Sequence, residues 1–235
     1  MRALLVSAAV AAALASAPAI AADMPLKAPG AAPYVSWTGI YFGGSAGIAR
    51  GDKRDWCYPD AGTCSPNADD TSWTGGGHVG IQWQTGQFVL GAEAKWIATD
   101  LNPSSTCPNT IYNCNLHIDS YWTAGARLGY TFTPSSLVYL TGGYAQSKID
   151  RDGTFKTTGV VVETWSATHS GWFIGTGAEF RVAGTGWVLG VEYNHIDFGS
   201  ETATGSPPFR EVLSTKATID TFQGRVSYLF NWWGR

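Results

Sequence analysis

From Trp37 onward, the sequence is divided into eight segments of roughly 10–14 residues in which apolar residues alternate with small or polar ones. In the first segment, Ile40 and Phe42 alternate with Tyr41 and Gly43. A period of two is typical of β-strands, because successive side chains point to opposite faces of a sheet. Eight strands are therefore predicted, and the phase of the fifth is ambiguous. They are Trp37–Ala49, Ser72–Gln84, Phe88–Ala98, Ile118–Phe132, Leu137–Ser147, Thr168–Phe180, Trp187–Phe198 and Ala217–Phe230.

The connections between these strands alternate between short and long. The short connections are Gln84–Gln87, Thr133–Ser136 and Val182–Gly186. The long connections are Arg50–Thr71, Thr99–His117, Lys148–Ala167 and Gly199–Lys216. All 11 prolines lie outside the predicted strands, as expected for a residue that cannot donate to a β-ladder. Short turns at one end and long loops at the other are typical of barrels that cross the bacterial outer membrane.

One face of the predicted strands carries large apolar side chains, while the other is rich in glycine and carries charges. Leu128 and Ile174 lie on the first face, for example, and Gly129 and Gly175 on the second. A water-soluble barrel has the opposite arrangement, with apolar side chains inside and charges outside. We therefore predict an all-β fold, an eight-stranded antiparallel up-and-down transmembrane β-barrel whose glycine-rich face lines the lumen.

Six charged residues share the predicted lumen face. An Arg or Lys on the lipid face would cost about 2–4 kcal/mol at the middle of a bilayer. Eight strands enclose only enough space for side chains, so these residues are predicted to pair and to plug the lumen. A charge-lined pore is the alternative. The six residues are Glu93, Lys95, Arg127, Glu179, Glu192 and Arg225.

Residues 1–21 have the pattern of a secretory signal peptide. Arg2 precedes an alanine-rich apolar run, and Ala19–Ala21 fits a cleavage site; a retained membrane helix is the alternative. Residues 22–36 are predicted to be a proline-rich periplasmic leader, and residues 37–235 the outer-membrane barrel. No long apolar stretch follows the signal, so a mature chain that spans a membrane has to be a closed barrel, in which every backbone polar group is paired.

The composition agrees with a membrane barrel and excludes a general nucleic-acid binder. Charged residues make up 14% of the chain and aromatic residues 13%, whereas soluble globular proteins carry about 25% charged residues. Without Arg2, the chain has 14 basic and 18 acidic residues and a net charge of −4. A nucleic-acid-binding protein would need a basic face.

Seven short motifs follow one another along the chain in a specific order. They are DMPLKAP (Asp23–Pro29), WTGIYFGGSAG (Trp37–Gly47), VLGAEAKW (Val89–Trp96), ARLGYTF (Ala126–Phe132), YLTGGYA (Tyr139–Ala145), GWFIGTGAEF (Gly171–Phe180) and VEYNHIDFG (Val191–Gly199). Together they resemble the small outer-membrane β-barrel proteins of alphaproteobacteria, often described as porin-family or OmpA-like. The resemblance covers nearly the whole mature chain. It implies an abundant surface protein linked to envelope integrity, host contact and, in some relatives, haemin binding.

The four cysteines form two pairs with the same spacing of seven residues. An even number of cysteines in an exported protein indicates disulfides. Cys57–Cys64 and Cys107–Cys114 are the predicted pairings, each within one long external loop. Other pairings and two metal-binding pairs are the alternatives, although the spacing differs from the usual zinc patterns.

Three of the four histidines are predicted at strand ends on the loop side. A rim cluster of His117, His169 and His195 would be a candidate haem or metal site. Three unrelated polar residues are the simpler interpretation, and no metal site is predicted. His78 has the lumen phase of the second strand.

Other patterns carry less information. Arg50–Asp52 spells an adhesion tripeptide, but three residues match easily by chance. His169 and Ser170 suggest a lipid-A-modifying enzyme by analogy with other barrels, yet no orienting acid lies at a readable spacing. The tryptophans are expected in belts at the two membrane interfaces. These are Trp37, Trp83, Trp96, Trp122, Trp172 and Trp187.

These observations predict a non-enzymatic, structural outer-membrane protein without a cofactor that contributes to envelope integrity and surface contact. The expected partners are outer-membrane lipids, lipopolysaccharide and, during insertion, the barrel-assembly machinery. The alternatives are binding of haemin or a host surface ligand by the loops, which carry specificity on a rigid scaffold, and weak porin-like passage of ions or solutes.

Overall fold

The computed structural model describes residues 36–207 and 210–231. The predicted signal peptide, the leader up to residue 35 and the last four residues lie outside the described residues. The described part of the chain contains no helix long and apolar enough to cross a membrane.

Ten strands make up the described part of the chain, and eight of them form a closed antiparallel ring. The wall consists of β1 (Gly39–Tyr58), β3 (Ala68–Thr85), β4 (Phe88–Leu101), β6 (Tyr112–Thr133), β7 (Ser136–Phe155), β8 (Val161–Arg181), β9 (Trp187–Thr204) and β10 (Val212–Phe230). Each wall strand pairs with its neighbours in the chain, and β10 pairs with β1. Two short strands lie in the connections, where β2 (Thr63–Cys64) pairs with β1 and β5 (Ser104–Thr106) pairs with β6. The eight-stranded up-and-down barrel is thus confirmed.

All eight wall strands are longer than predicted, because much of each predicted long loop continues a strand. β6 begins at Tyr112 instead of Ile118, and β7 ends at Phe155 instead of Ser147. The short turns lie where they were predicted, with glycines in the left-handed region at Gly86 (φ 60°) and Gly184 (φ 74°). We call the end with the short turns the periplasmic end and the opposite end the external end.

An apolar band surrounds the outside of the barrel next to the periplasmic end. Two rings of outward-facing aromatic side chains limit it, and small or aliphatic residues such as Leu140 and Ala126 lie between them. The periplasmic ring includes Trp83, Phe88, Phe132, Phe180, Trp187 and Phe230, and the external ring Trp73, Trp96, Trp122, Tyr144, Trp172, Tyr193 and Phe222. Aromatic girdles on both sides of an apolar band are the pattern of a lipid-facing barrel wall.

The lumen is filled by three layers of side chains. An apolar cap closes the periplasmic end, formed by Trp37, Tyr41, Val89, Leu137, Tyr139, Val188 and Leu229. A charged layer follows at the level of the lipid band. Beyond the band, a larger apolar core that includes Trp56, Leu116, Ile149, Trp165 and Phe198 fills the external half. The placement of Trp37 in an interface belt was wrong, because its ring is fully buried and its Nε1 donates to the carbonyl of Pro134 at 3.1 Å.

The external half of the barrel explains why the strand ends were predicted too early. There the wall faces water, so charged residues such as Arg50 and Lys148 point outward while Leu116 and Ile149 point inward. Each strand therefore inverts its polarity as it leaves the lipid band. The cap explains the ambiguous phase of β7, because Leu137 faces the lumen and its neighbour Val138 faces lipid.

The boundary of the band generates the first prediction. Leu140 is an exposed outward residue near the middle of the band, whereas Thr168 points outward from the neighbouring strand beyond the external aromatic ring. We expect Leu140→Arg to lower the free energy of unfolding in lipid vesicles by about 2–4 kcal/mol.

Thr168→Arg is the matched control and should change that free energy by less than about 1 kcal/mol, because its side chain reaches water. Denaturant titration followed by heat-modifiable gel mobility measures both. Equal losses in the two variants would contradict the assigned band.

Candidate functional site

The six predicted lumen charges lie together in one layer at the level of the lipid band. They come from five strands, and each occupies an inward position of its strand, with no more than 7% of its surface exposed. We call Glu93, Lys95, Arg127, Glu179, Glu192 and Arg225 the ionic layer. The structure thus brings all six together.

Arg225 on β10 lies at the centre of the ionic layer. Its Nη1 donates to Oε1 of Glu93 at 3.1 Å, and its Nε lies 3.6 Å from Oε1 of Glu179. It also pairs with Glu192. A guanidinium presents several donors in one plane, so a single arginine can bridge three carboxylates from three strands.

The other two cations complete the ionic layer. Arg127 pairs with Glu179 and lies 3.8 Å from Glu93. Lys95 pairs with Glu192 and lies 3.3 Å from Glu93. Three carboxylates therefore face three cations, and the layer is neutral when all six are ionised. Charge balance of this kind is what makes burial of ionised groups tolerable, since an unpaired buried charge is strongly destabilising.

Two tyrosines that are not among the six predicted lumen residues extend the ionic layer. Tyr41 donates to Oε2 of Glu93 at 2.9 Å, and Tyr139 donates to Oε2 of Glu192 at 2.7 Å. The guanidinium of Arg127 lies 3.6 Å from the ring centroid of Tyr139. Tyr41 has the same phase as the predicted lumen residues and was identifiable from it, whereas the ambiguous phase of β7 concealed Tyr139.

Lumen glycines make room for these two rings. A Cβ at Gly80 would lie 2.3 Å from the Tyr41 ring, and a Cβ at Gly177 would lie 2.4 Å from the Tyr139 ring. Any side chain at either position would displace a tyrosine that holds a carboxylate. The glycine-rich face predicted from the sequence therefore has a steric function next to the charges.

Neutral polar groups add further hydrogen bonds around the ionic layer. Asn194 donates through Nδ2 to Oε1 of Glu192 at 2.8 Å and accepts from Lys95 at 3.4 Å. His78 and Ser227 form a hydrogen bond of 2.7 Å between adjacent lumen positions. Within residues 36–207 and 210–231, no group of three or more His, Cys, Asp or Glu residues is arranged to hold a metal ion.

Both disulfides have the local pairing that the sequence predicted, Cys57–Cys64 and Cys107–Cys114. The first joins β1 to β2 at the external end. The second lies in the apolar core of the external half, where both of its cysteines are buried. The sequence placed each pair within one long external loop, whereas Cys57 lies in β1, Cys64 in β2 and Cys114 in β6, because strands continue into the predicted loops.

The three candidate haem-binding histidines do not form a rim cluster. His169 points into the lumen and is fully buried beside Arg151. His117 and His195 are partly exposed and face outward, where they contact Asp152 at 2.6 Å and Asp220 at 2.8 Å. Their common rim position was wrong, because β6 and β8 continue past the predicted ends and place alternate residues on opposite faces.

Two other sequence patterns lie within strands, and this position decides how each is interpreted. Ser170 is exposed on the outer face of β8, while His169 points inward, so this pair cannot act as a nucleophile and its base. The tripeptide Arg50–Asp52 lies within β1 and not in a loop. Its Arg50 forms an ion pair of 3.0 Å with Asp69 across the strand pair.

Comparison with protein families gives a match over nearly the whole chain. Residues 5–230 match the family described as outer membrane protein beta-barrel domain. The chain is also 31% identical over 227 residues to the 31 kDa outer-membrane immunogenic protein of Brucella melitensis, and the match covers 90% of this chain and 93% of that protein.

Solved structures with the same fold include OprG from Pseudomonas aeruginosa, with a TM-score of 0.56 and 10% identity over 85% of this chain and all of OprG. The outer membrane protease OmpT from Escherichia coli gives a TM-score of 0.52 at 8% identity, over 82% of this chain and 97% of that chain. At these identities the likeness concerns the fold alone.

Charge balance within the ionic layer generates the second prediction. Arg127→Met and Glu179→Gln should each lower the free energy of unfolding by about 3–5 kcal/mol, because each leaves a buried partner uncompensated. The double variant should lose several kcal/mol less than the sum, since it restores neutrality. Denaturant titration of the folded protein in detergent measures all three, and additive losses would contradict the coupling.

The buried position of His169 generates a third prediction, on acid stability. Burial lowers the pKa of His169 to about 4, and the positive charge of Arg151 lowers it further. Because the folded-state pKa lies below the unfolded value of about 6.5, the stability from neutral His169 is complete above pH 6.5 and is lost as the pH falls towards 4.

His169→Gln keeps an acceptor for Arg151 but does not titrate. Between pH 7 and pH 4, the wild type should therefore lose roughly 2 kcal/mol more stability than the variant. Unfolding in detergent at both pH values measures the difference. An equal acid loss in both proteins would show that His169 does not contribute.

Proposed function

Because the chain belongs to the outer membrane protein β-barrel domain family, we propose that it is a closed, non-enzymatic structural barrel of the outer membrane that contributes to envelope integrity and surface contact. The observation that carries the proposal is the filled lumen. Apolar side chains occupy both ends, and a neutral network of six charges occupies the level of the lipid band.

The filled lumen favours a structural role over solute passage. A conducting pore needs a continuous polar path. In the periplasmic cap of this barrel, however, the apolar side chains of Trp37 and Leu137 are both buried, with 0% and 1% of their surface exposed. The external core adds a second, mainly apolar layer, in which Leu116 and Phe198 are fully buried beside a few buried charged residues such as Lys53. Ions would have to cross both layers as well as the ion pairs between them.

The external half supports the proposed surface contact. Its strands continue beyond the lipid band as a water-facing barrel, and two disulfides hold the connections of β1 and β6 near its end. A rigid support with crosslinked loops suits the presentation of a surface. The dispersed positions of the three candidate histidines give no support to a haemin site formed by them. The proposed partners of the apolar band are outer-membrane lipids and lipopolysaccharide. The barrel-assembly machinery is the proposed partner during insertion.

The closed lumen gives the fourth prediction. In planar bilayers, the folded protein should show no large, steady conductance under conditions in which a general porin conducts. The double variant Trp37→Ala, Leu137→Ala should also stay closed, because the ionic layer and the external core still fill the lumen. Steady conductance of the wild type would contradict the proposal.

The structural role itself is tested in a deletion strain. Loss of the protein should increase sensitivity to detergent and leave whole-cell haemin binding unchanged. Wild type and the control Thr168→Arg should restore resistance fully, whereas Leu140→Arg, which is destabilised in lipid, should restore it less. Reduced haemin binding with normal detergent resistance would favour the surface-binding alternative.

A further inference from the structure

A cavity of about 400 Å³ opens at the external end of the barrel, far from the ionic layer. Its wall includes residues next to both disulfides and the external ends of β7, β8 and β10. Three aromatic and three acidic residues stand out among those that line it. They are Tyr58, Tyr112 and Trp165, and Asp60, Glu163 and Glu211. This volume lies within the range of small-molecule sites, about 300–1,000 Å³.

The aromatic side of the cavity is fixed by packing. The rings of Tyr58 and Trp165 meet edge to face, with their centroids 6.3 Å apart, and Trp56 packs behind Trp165 at 6.1 Å. Tyr112 packs against Phe155 with centroids 4.6 Å apart. The indole Nε1 of Trp165 donates to the carbonyl of Glu211 at 2.9 Å. These contacts hold the rings in place around the cavity before any ligand arrives.

The acidic side of the cavity holds like charges close together. Glu163 is 4% exposed, and its Oε1 accepts from the backbone N–H of Glu211 at 3.0 Å. Burial raises the pKa of the Glu163 carboxyl, and the charge of Glu211 adds to the rise. No Lys, Arg or His occurs among the described residues that line the cavity. A cation that entered would relieve this repulsion.

The nearby cation Lys53 does not neutralise the cavity. Its ammonium lies 4.6 Å from the ring centroid of Trp56 and donates to the carbonyl of Cys114 at 3.1 Å. It is fully buried in the external core and is not among the lining residues. The residues that line the cavity therefore include three acids and no basic residue.

The connection after β9 passes close to the carboxylate of Glu163 at Gly205. A Cβ at Gly205 would lie 2.0 Å from Oε1 of Glu163 and 2.6 Å from Nε1 of Trp165. Ser206 fixes the same segment, because its N–H donates to the carbonyl of Thr164 at 2.9 Å and its Oγ accepts from the N–H of Thr164 at 3.1 Å. Glycine at 205 thus allows the buried acid and the indole to share one wall.

We propose that this cavity binds an organic ammonium cation. Aromatic faces attract a cation through their quadrupoles, and a ring cage with acidic groups is a common way of binding alkylammonium groups. A bare metal ion fits less well, because no group of three or more His, Cys, Asp or Glu within residues 36–207 and 210–231 is arranged to hold one. A metal ion would need further carboxylate ligands, whereas this cavity offers aromatic rings in their place.

The test compares choline with its neutral isostere 3,3-dimethyl-1-butanol. Isothermal titration calorimetry is performed on the full folded protein in a maltoside detergent, since phosphocholine detergents and lipids would compete. Choline should bind at least about tenfold more tightly than the isostere, because only choline gains the cation–π and carboxylate attraction. Absence of choline binding at millimolar concentrations, or equal binding of the two compounds, would overturn the proposal.

Variants separate the cavity from general surface charge. Glu211→Gln combined with Asp60→Asn changes two exposed acids of the cavity and should weaken choline binding at least about tenfold. Asp119→Asn removes an exposed acid from the outer face of β6 and should leave binding unchanged. Heat-modifiable mobility verifies folding of each variant. Binding that is insensitive to the cavity variant, or equally reduced by Asp119→Asn, would refute the proposed site.

Tyr112→Leu provides an independent test of the aromatic wall, because it removes a ring and preserves charge. We expect it to weaken choline binding several-fold while leaving the weak binding of the isostere nearly unchanged. Equal loss for both compounds would mean that the cavity recognises apolar shape alone, and the ammonium proposal would then be wrong.

Discussion

The pairing of β10 with β1 is the interaction on which the rest of the structure depends. It runs from Ile40 opposite Phe230 to Cys57 opposite Ser214 and leaves no free strand edge in the wall. In hydrocarbon, an unpaired backbone N–H or C=O costs several kcal/mol, so a sheet can cross a membrane only as a closed ring. Closure with eight strands also fixes the width of the lumen, and this width determines that side chains fill it.

The side chains that fill the lumen differ in polarity at three levels of the barrel, according to what lies outside the wall and at its end. At the level of the lipid band, the outer face is apolar, and the charges that the strands carry have to be satisfied inside, in the ionic layer. Beyond the band, the outer face meets water and the lumen becomes an apolar core, as in a soluble barrel. Trp37 and Leu137 close the periplasmic end. The protein therefore combines a membrane barrel and a soluble-type barrel in the same continuous strands.

This inversion also separates the proposed functions in space. The ionic layer and the two apolar layers stabilise and close the barrel, which suits a structural role in the envelope. The cavity proposed to bind an ammonium cation lies at the external end of the barrel, next to both disulfides. Cys107–Cys114 is buried in that core, so crosslinking and packing together hold the cavity wall. A ligand there can bind without any opening of the lumen.

The sequence by itself determined the strand number, the short turns, the lipid-facing phase and the inward direction of all six charges. These features follow from local rules, since a period of two and the cost of a charge in lipid act within each strand. Only the tertiary structure decided the strand ends, the position of His169 and the roles of Tyr139 and Trp37. These depend on what lies across the lumen or outside the wall at each height. Leu140 and Lys148 both point outward from β7, but Leu140 meets lipid and Lys148 meets water. The height of each residue in the closed barrel decides which of the two it meets.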